Sequence, residues 1–301
     1  MSALVNLIPV SPDLWMFLVA DMVIAILLLT MLRWISGRLL KAGTDNRGRA
    51  NHDNYAYGIS VAGRMMALAI VLSGAVETSS KGNIESSIVT MLVFGTVGIL
   101  LIKIGRYAHD KIVLNRLDKD FHIKDRNTSI ALVDASSSIA TAIIIKSVLV
   151  WVSGFDVDAF IAIFSGFLVS QTILLAMTRI YERRFRENNR SGSLQASLTK
   201  GQLALAIQHS GHLLGTALAV TVASTLLVYN PSGYVSNLTG WLIVGLSMTL
   251  ILTALVTVAR LFILSNVNLV QEIDQQHNIG VASIELSMSV GIALILLGLI
   301  S

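Results

Sequence analysis

The sequence predicts an all-α fold, a polytopic membrane helical bundle of eight transmembrane helices built from four parallel two-helix repeats. Three observations predict it. Hydrophobic residues make up 54% of the 301 and charged residues only 13%, about half the roughly 25% share of a soluble domain. The apolar residues gather in eight continuous runs, each long enough to cross a hydrocarbon core of roughly 30 Å. The second run of each pair begins at a polar residue, and comparable residue types recur at fixed distances from that start.

The first span covers about 14–32 and ends at Arg33. No Lys or Arg precedes it, so the positive region of a secretory signal is missing and the span is expected to be retained. The second covers about 55–76, after Asn54, and the third about 86–105. The fourth covers about 128–152, after Asn127, and the fifth about 159–178. The sixth covers about 202–228, opening at Gln202. The seventh covers about 239–262, and the eighth about 279–300, after Asn278. Helix is the economical reading of all eight, because the runs do not alternate and an isolated strand leaves its backbone unsatisfied in lipid. The polar stretch 188–195, with Ser191-Gly192-Ser193, reads as a flexible joint. The expected modules are 1–152 and 153–301.

The net charge of +4 matters less than where the charges fall. One side carries Arg33, Arg38, Lys41, Arg47 and Arg49, then seven basic residues from Lys103 to Arg126. Arg179, Arg183, Arg184, Arg186, Arg190, Lys200 and Arg260 complete that side. The other side has Lys81 among Asp13, Glu77, Glu85, Asp156 and Asp158. The asymmetry predicts cytoplasmic hairpin loops with both termini outside. Trp15, Trp34, Trp151 and Trp241 fall near span ends, as interfacial aromatics should, and Lys146 is placed to snorkel.

Aligned on Asn54, Asn127, Gln202 and Asn278, the even spans carry Val61, Asp134, His209 and Glu285 seven residues in. Ten residues in come Arg64, Ser137, His212 and Met288. These levels lie roughly 10 and 15 Å along the helix. An ionised group at such depth costs roughly 2.5–3.5 kcal/mol on insertion scales, so it faces a partner or the bundle interior. Small residues recur two, nine and thirteen positions in. They are Ala56, Ser129, Ala204 and Gly280; Gly63, Ser136, Gly211 and Ser287; and Ala67, Ala140, Gly215 and Gly291. They form one stripe for close helix approach. Two-span units insert in the same sense, so the repeats are expected to be related by an axis along the membrane normal. The even helices are expected inside and the odd helices outside.

The runs Asn127-Thr-Ser-Ile-Ala-Leu-Val-Asp-Ala-Ser and His277-Asn-Ile-Gly-Val-Ala-Ser-Ile-Glu-Leu-Ser resemble the polar-started helices of YjfL-type bacterial inner-membrane proteins. That family is a domain of unknown function numbered 350. The chain resembles two four-helix members fused, over nearly its whole length. Val61 in place of an acid and Gln202 in place of Asn depart from the pattern. The resemblance implies a bacterial inner (plasma) membrane and a helical bundle, and no activity. It hints at a peripheral stress protein of the phage-shock type as a partner.

Asp134 and Glu285, at one level of the fourth and eighth spans, are expected to face each other across a quasi-fourfold bundle. They form either a proton or cation site or a structural pair with Arg64. His209 and His212 share a helix face, suited to proton relay or to packing against hydroxyls. With Asp134 and Glu285 they also make a two-His, two-carboxylate set for Zn, Mn or Fe, given low weight. Arg64 keeps its charge and needs an acid or an anion. Asp21 is open to an outer vestibule, Arg64 or Lys146. Arg183, Arg184, Arg186 and Arg190 form a basic face for anionic lipid or an acidic partner.

Cysteine is absent, which excludes disulfides and thiolate chemistry. No P-loop, dinucleotide fingerprint or nucleophile elbow occurs, so neither an enzyme nor a cofactor is expected. The loops lack a nucleic-acid module. Three functions stay open: proton or ion transport through Arg64, Asp134, His209, His212 and Glu285; a non-transporting anchor or stress-complex subunit; and an intramembrane metal protein. The lipid bilayer is the expected surrounding, and a homo-oligomer is a further expectation.

Overall fold

The computed structural model describes residues 12–41, 54–79, 83–189 and 192–300. Arg47, Arg49, Lys81 and Arg190 lie outside the described residues. Among the described residues, eight helices are long and apolar enough to cross a membrane. They are α1 (Pro12–Lys41), α2 (Tyr55–Thr78), α3 (Ile84–Ile112) and α4 (Thr128–Trp151). The second module holds α5 (Val157–Asn188), α6 (Leu203–Thr221), α7 (Tyr234–Ile263) and α8 (Ile279–Ile300). Short helices at Lys119–Lys124 and Leu194–Thr199 precede α4 and α6, and a π-helical turn at Val270–Gln275 precedes α8.

The starts of α2, α4 and α8 are built the same way. Asn54, Asn127 and Asn278 each accept a backbone N–H three residues on, which satisfies one orphan donor of the first turn. The residue before the cap is left-handed at Arg126, Gly201 and His277. Asn54 also donates to the carbonyls of Ile123 and Lys124 at 3.0 and 3.2 Å. Asn127 donates to those of Leu198 and Thr199 at 2.9 and 3.0 Å. Each cap thus holds the end of the short helix belonging to the next repeat. Gln202, one methylene longer, makes no cap bond.

The even helices form an open row, α2–α4–α6–α8, in place of the expected closed fourfold. Each packs on the next, and no substantial contact joins α2 to α6 or α8, or α4 to α8. Small residues set the spacing. A Cβ added to Gly63 would sit 2.4 Å from the Ala135 Cα, and one on Gly211 would sit 2.5 Å from the Leu286 Cα. Both are shorter than any tolerable contact, so each pair of helices touches backbone to backbone. The row buries α4 most and leaves α8 mostly exposed. The expectation of four interior even helices is therefore corrected: α4 and α6 are interior, and α5 is more buried than α2 or α8.

The aromatic expectation divides likewise. Trp15 and Trp34 are exposed, but Trp241 is fully buried and stacks edge-on against Trp151 at 5.4 Å. The Trp151 indole donates to the Leu227 carbonyl, joining the ends of α4 and α6. Lys146 lies 3.5 Å from Glu77 at the other end of the bundle from the hairpin loops.

Candidate functional site

Two ionic clusters lie near the basic end, one per module, at the same repeat position. Asp134 on α4 is almost wholly buried and gathers three cations. Arg106 of α3 reaches Oδ1 at 2.8 Å through Nη2 and at 3.3 Å through Nε. Lys119 reaches Oδ1 at 2.8 Å, and Arg64 of α2 lies 3.5 Å from Oδ2. The Ser60 hydroxyl donates to Oδ2 at 2.6 Å while accepting from Arg64. Lys119 also pairs with Asp110 at 2.5 Å. A cleft of about 240 Å³ lies in front, lined by Arg64, Lys103, Arg106, Lys119 and Lys124 with Asp110, Asp120, Tyr57 and Tyr107.

Glu285 on α8 repeats the plan more simply. Arg260 of α7 grips it side-on, with Nε 2.9 and 3.0 Å from the two oxygens and Nη2 2.5 Å from Oε2. The forked guanidinium matches a carboxylate, which makes the pair both strong and directional. A separate cavity of about 320 Å³ borders this pair, with Gln208, His212, Tyr181, Arg184 and Asp274 on its polar side and Leu250, Leu252 and Val256 on its apolar side. Asp274, on the turn outside the spans, takes a hydrogen bond from Asn189, and burial pushes its carboxyl above the usual range.

The predicted residues are therefore not brought to one centre. Asp134 and Glu285 do not face each other, because α4 and α8 are not neighbours in the row. Arg64 does meet an in-chain acid. His212 lies 3.3 Å from the Met177 carbonyl and stacks on Tyr181 at 4.9 Å. His209 is fully buried with neither ring nitrogen bonded to a protein group. Its neighbours are the rings of Tyr181, at 5.4 Å, and His109, at 6.4 Å. The expected hydroxyl partner is absent, because the Tyr181 hydroxyl donates to Gln208. The two-His, two-carboxylate metal set is dispersed, and no group of three or more such ligands occurs among the described residues. Asp21 pairs with neither Arg64 nor Lys146; Ser87 of α3 donates to it at 3.4 Å, since α1 packs on α3.

Arg183, Arg184 and Arg186 are exposed on the last turns of α5, where Arg183 pairs with Glu187. At about 1.5 Å per residue, the 32 residues of α5 span about 48 Å, well past a 30 Å core.

Arg106, Arg260, Lys119, Ser60 and His109 are absent from the expected site. A signal for two of them exists. Arg106 stands 21 residues before Asn127, as Arg33 stands before Asn54, and Arg260 closes α7 in a similar place. The basic residues look like topology signals until α3 is seen to continue as helix to Ile112, one to two turns past the expected end.

The model of the family described as Domain of Unknown Function (DUF350) matches residues 6–149 and again 155–300. No curated protein and no solved structure matches the chain. The two matches cover nearly all of the sequence, and the two acid clusters fall one in each: the chain belongs to the DUF350 family, as two copies in tandem.

Proposed function

We propose that this protein is a non-conducting platform of the bacterial inner membrane, with both termini periplasmic, that receives an acidic peripheral partner on its cytoplasmic end. The observation that carries the reading is the pairing of both acids with cations of the same chain, three on Asp134 and one on Glu285, in two separate clusters. A carboxylate held by three cations is a poor carrier of a proton or a metal cation, because each arriving charge must displace a fixed one. Exposed positive charge lies further out, on Arg184 and Arg186 at the projecting end of α5, with Arg183 beside them paired to Glu187. Charge there steers and holds an acidic surface. The class of partner suggested by the family resemblance is a peripheral stress protein.

The test has two arms. In proteoliposomes under a pH gradient, the wild-type protein is expected to pass no more protons than empty vesicles. In native membranes, an acidic peripheral protein is expected to co-purify with the wild type and to be lost from the Arg183→Gln, Arg184→Gln, Arg186→Gln triple variant at unchanged thermal stability. Flux above the empty vesicles that disappears in Asp134→Asn or Glu285→Gln overturns the reading.

One observation favours proton passage as a second reading. The rings of His109, His209, Tyr181 and His212 follow one another at 6.4, 5.4 and 4.9 Å between the two clusters. His209→Phe breaks that series, and loss of flux in it is the result that selects this reading.

A further inference from the structure

We propose that the row of even helices continues from one copy of the chain to the next, α8 of one seated on α2 of its neighbour. The argument rests on helix packing and is independent of the platform reading.

Every even helix has two faces of small residues. The forward face is the stripe two, nine and thirteen residues after the polar start. It is buried on α2, α4 and α6, and its glycines on α2 and α6 meet the following even helix. On α8 the same stripe is Gly280, Ser287 and Gly291, of which the first two are exposed and the third half-buried. A Cβ added to Gly291 meets nothing within 4 Å.

The backward face lies four and fifteen residues after the start. Ala131, Ala206 and Ala282 hold the first of these positions and Ala142, Ala217 and Ala293 the second; all six are fully buried. On α2 the equivalents are Gly58 and Ala69, both exposed, with exposed Ala62 between them. The row thus ends on one side with an unused forward face and begins on the other with an unused backward face. Exposed small residues let a second helix approach to backbone contact, and lipid tails gain little from filling such a stripe.

The matching of levels identifies the occupant as a second copy. At the first and third internal junctions the residue seven in on one helix meets, or shares a cavity with, those six and ten in on the helix before it. Asp134 meets Ser60 and Arg64. Glu285 shares its cavity with Gln208 and His212. Ahead of α2, the equivalent contact would set Val61 against the exposed Ile284 of another copy, with Met288 already buried in its own chain behind it, which is apolar against apolar. The one even helix without a titratable group at its seventh position is the one whose forerunner would be apolar there. Joining unlike faces is a heterologous contact, so copies would close into a ring or run on as an open array.

The absence of cysteine makes the test clean. Gly63 meets Ala135 and Gly211 meets Leu286, one position earlier in the following helix, so Ser287 is expected beside Ala62 of the next copy. Two differently tagged full-length chains, Ala62→Cys and Ser287→Cys, are co-expressed in membranes and oxidised. A mixed disulfide at twice the chain mass is expected. None is expected when Ser73→Cys replaces Ala62→Cys, since it lies about 16 Å further along α2. Gly291→Leu is expected to keep the thermal stability of the wild type and to lower its assembly state in a lipid nanodisc or by native mass measurement. Cross-linking of Ser287→Cys to itself alone, no mixed disulfide between well-folded chains, or a wild type that stays monomeric in lipid overturns the proposal.

Discussion

Arg106 Nη2 stands 2.8 Å from Asp134 Oδ1, bringing a residue at the basic end of α3 onto one at the seventh position of α4. Arg260 and Glu285 repeat the relationship between α7 and α8. An odd helix thereby pins the even helix that follows it, through a charge pair near the basic end of the bundle. The first pair is buried and shared with two more cations, while the Arg260 side chain is 38% exposed.

Asp134→Asn is expected to destabilise strongly. It leaves Arg64, Arg106 and Lys119 facing one another without their common carboxylate. Breaking a buried pair by removing one partner costs about 3–5 kcal/mol. Thermal unfolding in detergent checks this, and Asp134→Asn combined with Arg106→Gln is expected to lose less than the sum of the two single changes.

Glu285→Gln is expected to lose less, about 1–3 kcal/mol, since the freed Arg260 can turn toward water. A loss equal to that of Asp134→Asn, measured in the same unfolding assay, would contradict the exposure difference between the two pairs.

Gly63→Leu is expected to part α2 from α4. Its first side-chain carbon would already lie 2.4 Å from Ala135, and overpacking of this kind costs about 1–3 kcal/mol or more. Gly298→Ala, with open space around it, is expected to be neutral or to stabilise by up to about 1 kcal/mol through helix propensity. Comparing the two melting temperatures checks the helix contact directly.

Asp274→Asn is expected to stabilise at neutral pH. Burial raises the folded-state pKa of Asp274, so the ionised form is disfavoured in the folded protein. The wild type therefore loses stability as pH rises from below the unfolded carboxylate range through the raised value, and the variant does not. Melting curves from about pH 3.5 to 8 should converge at the acid end and separate at the alkaline end.

His209→Phe is expected to hold or raise stability, since a ring without polar atoms fits between Tyr181 and His109 and removes two buried nitrogens that bond to no protein group. A large fall in melting temperature would show instead that those nitrogens contribute to the fold.

The sequence by itself determined the eight spans, the two-helix repeat, the polar helix starts and the matched positions of Asp134, His209 and Glu285 along their helices. These depend on hydropathy and spacing along one helix, where 1.5 Å per residue turns sequence position into depth. Only the tertiary structure decided which helices are neighbours and which charges meet. A row and a closed ring demand the same small-residue stripe on each helix, so the stripe alone could not separate them. Arg106 and Lys119 reach Asp134 because α3 runs past its apolar stretch and a short helix folds back beneath it. Long basic side chains sited by distant backbone are what hydropathy reads as loop charge, and packing alone turns them into partners.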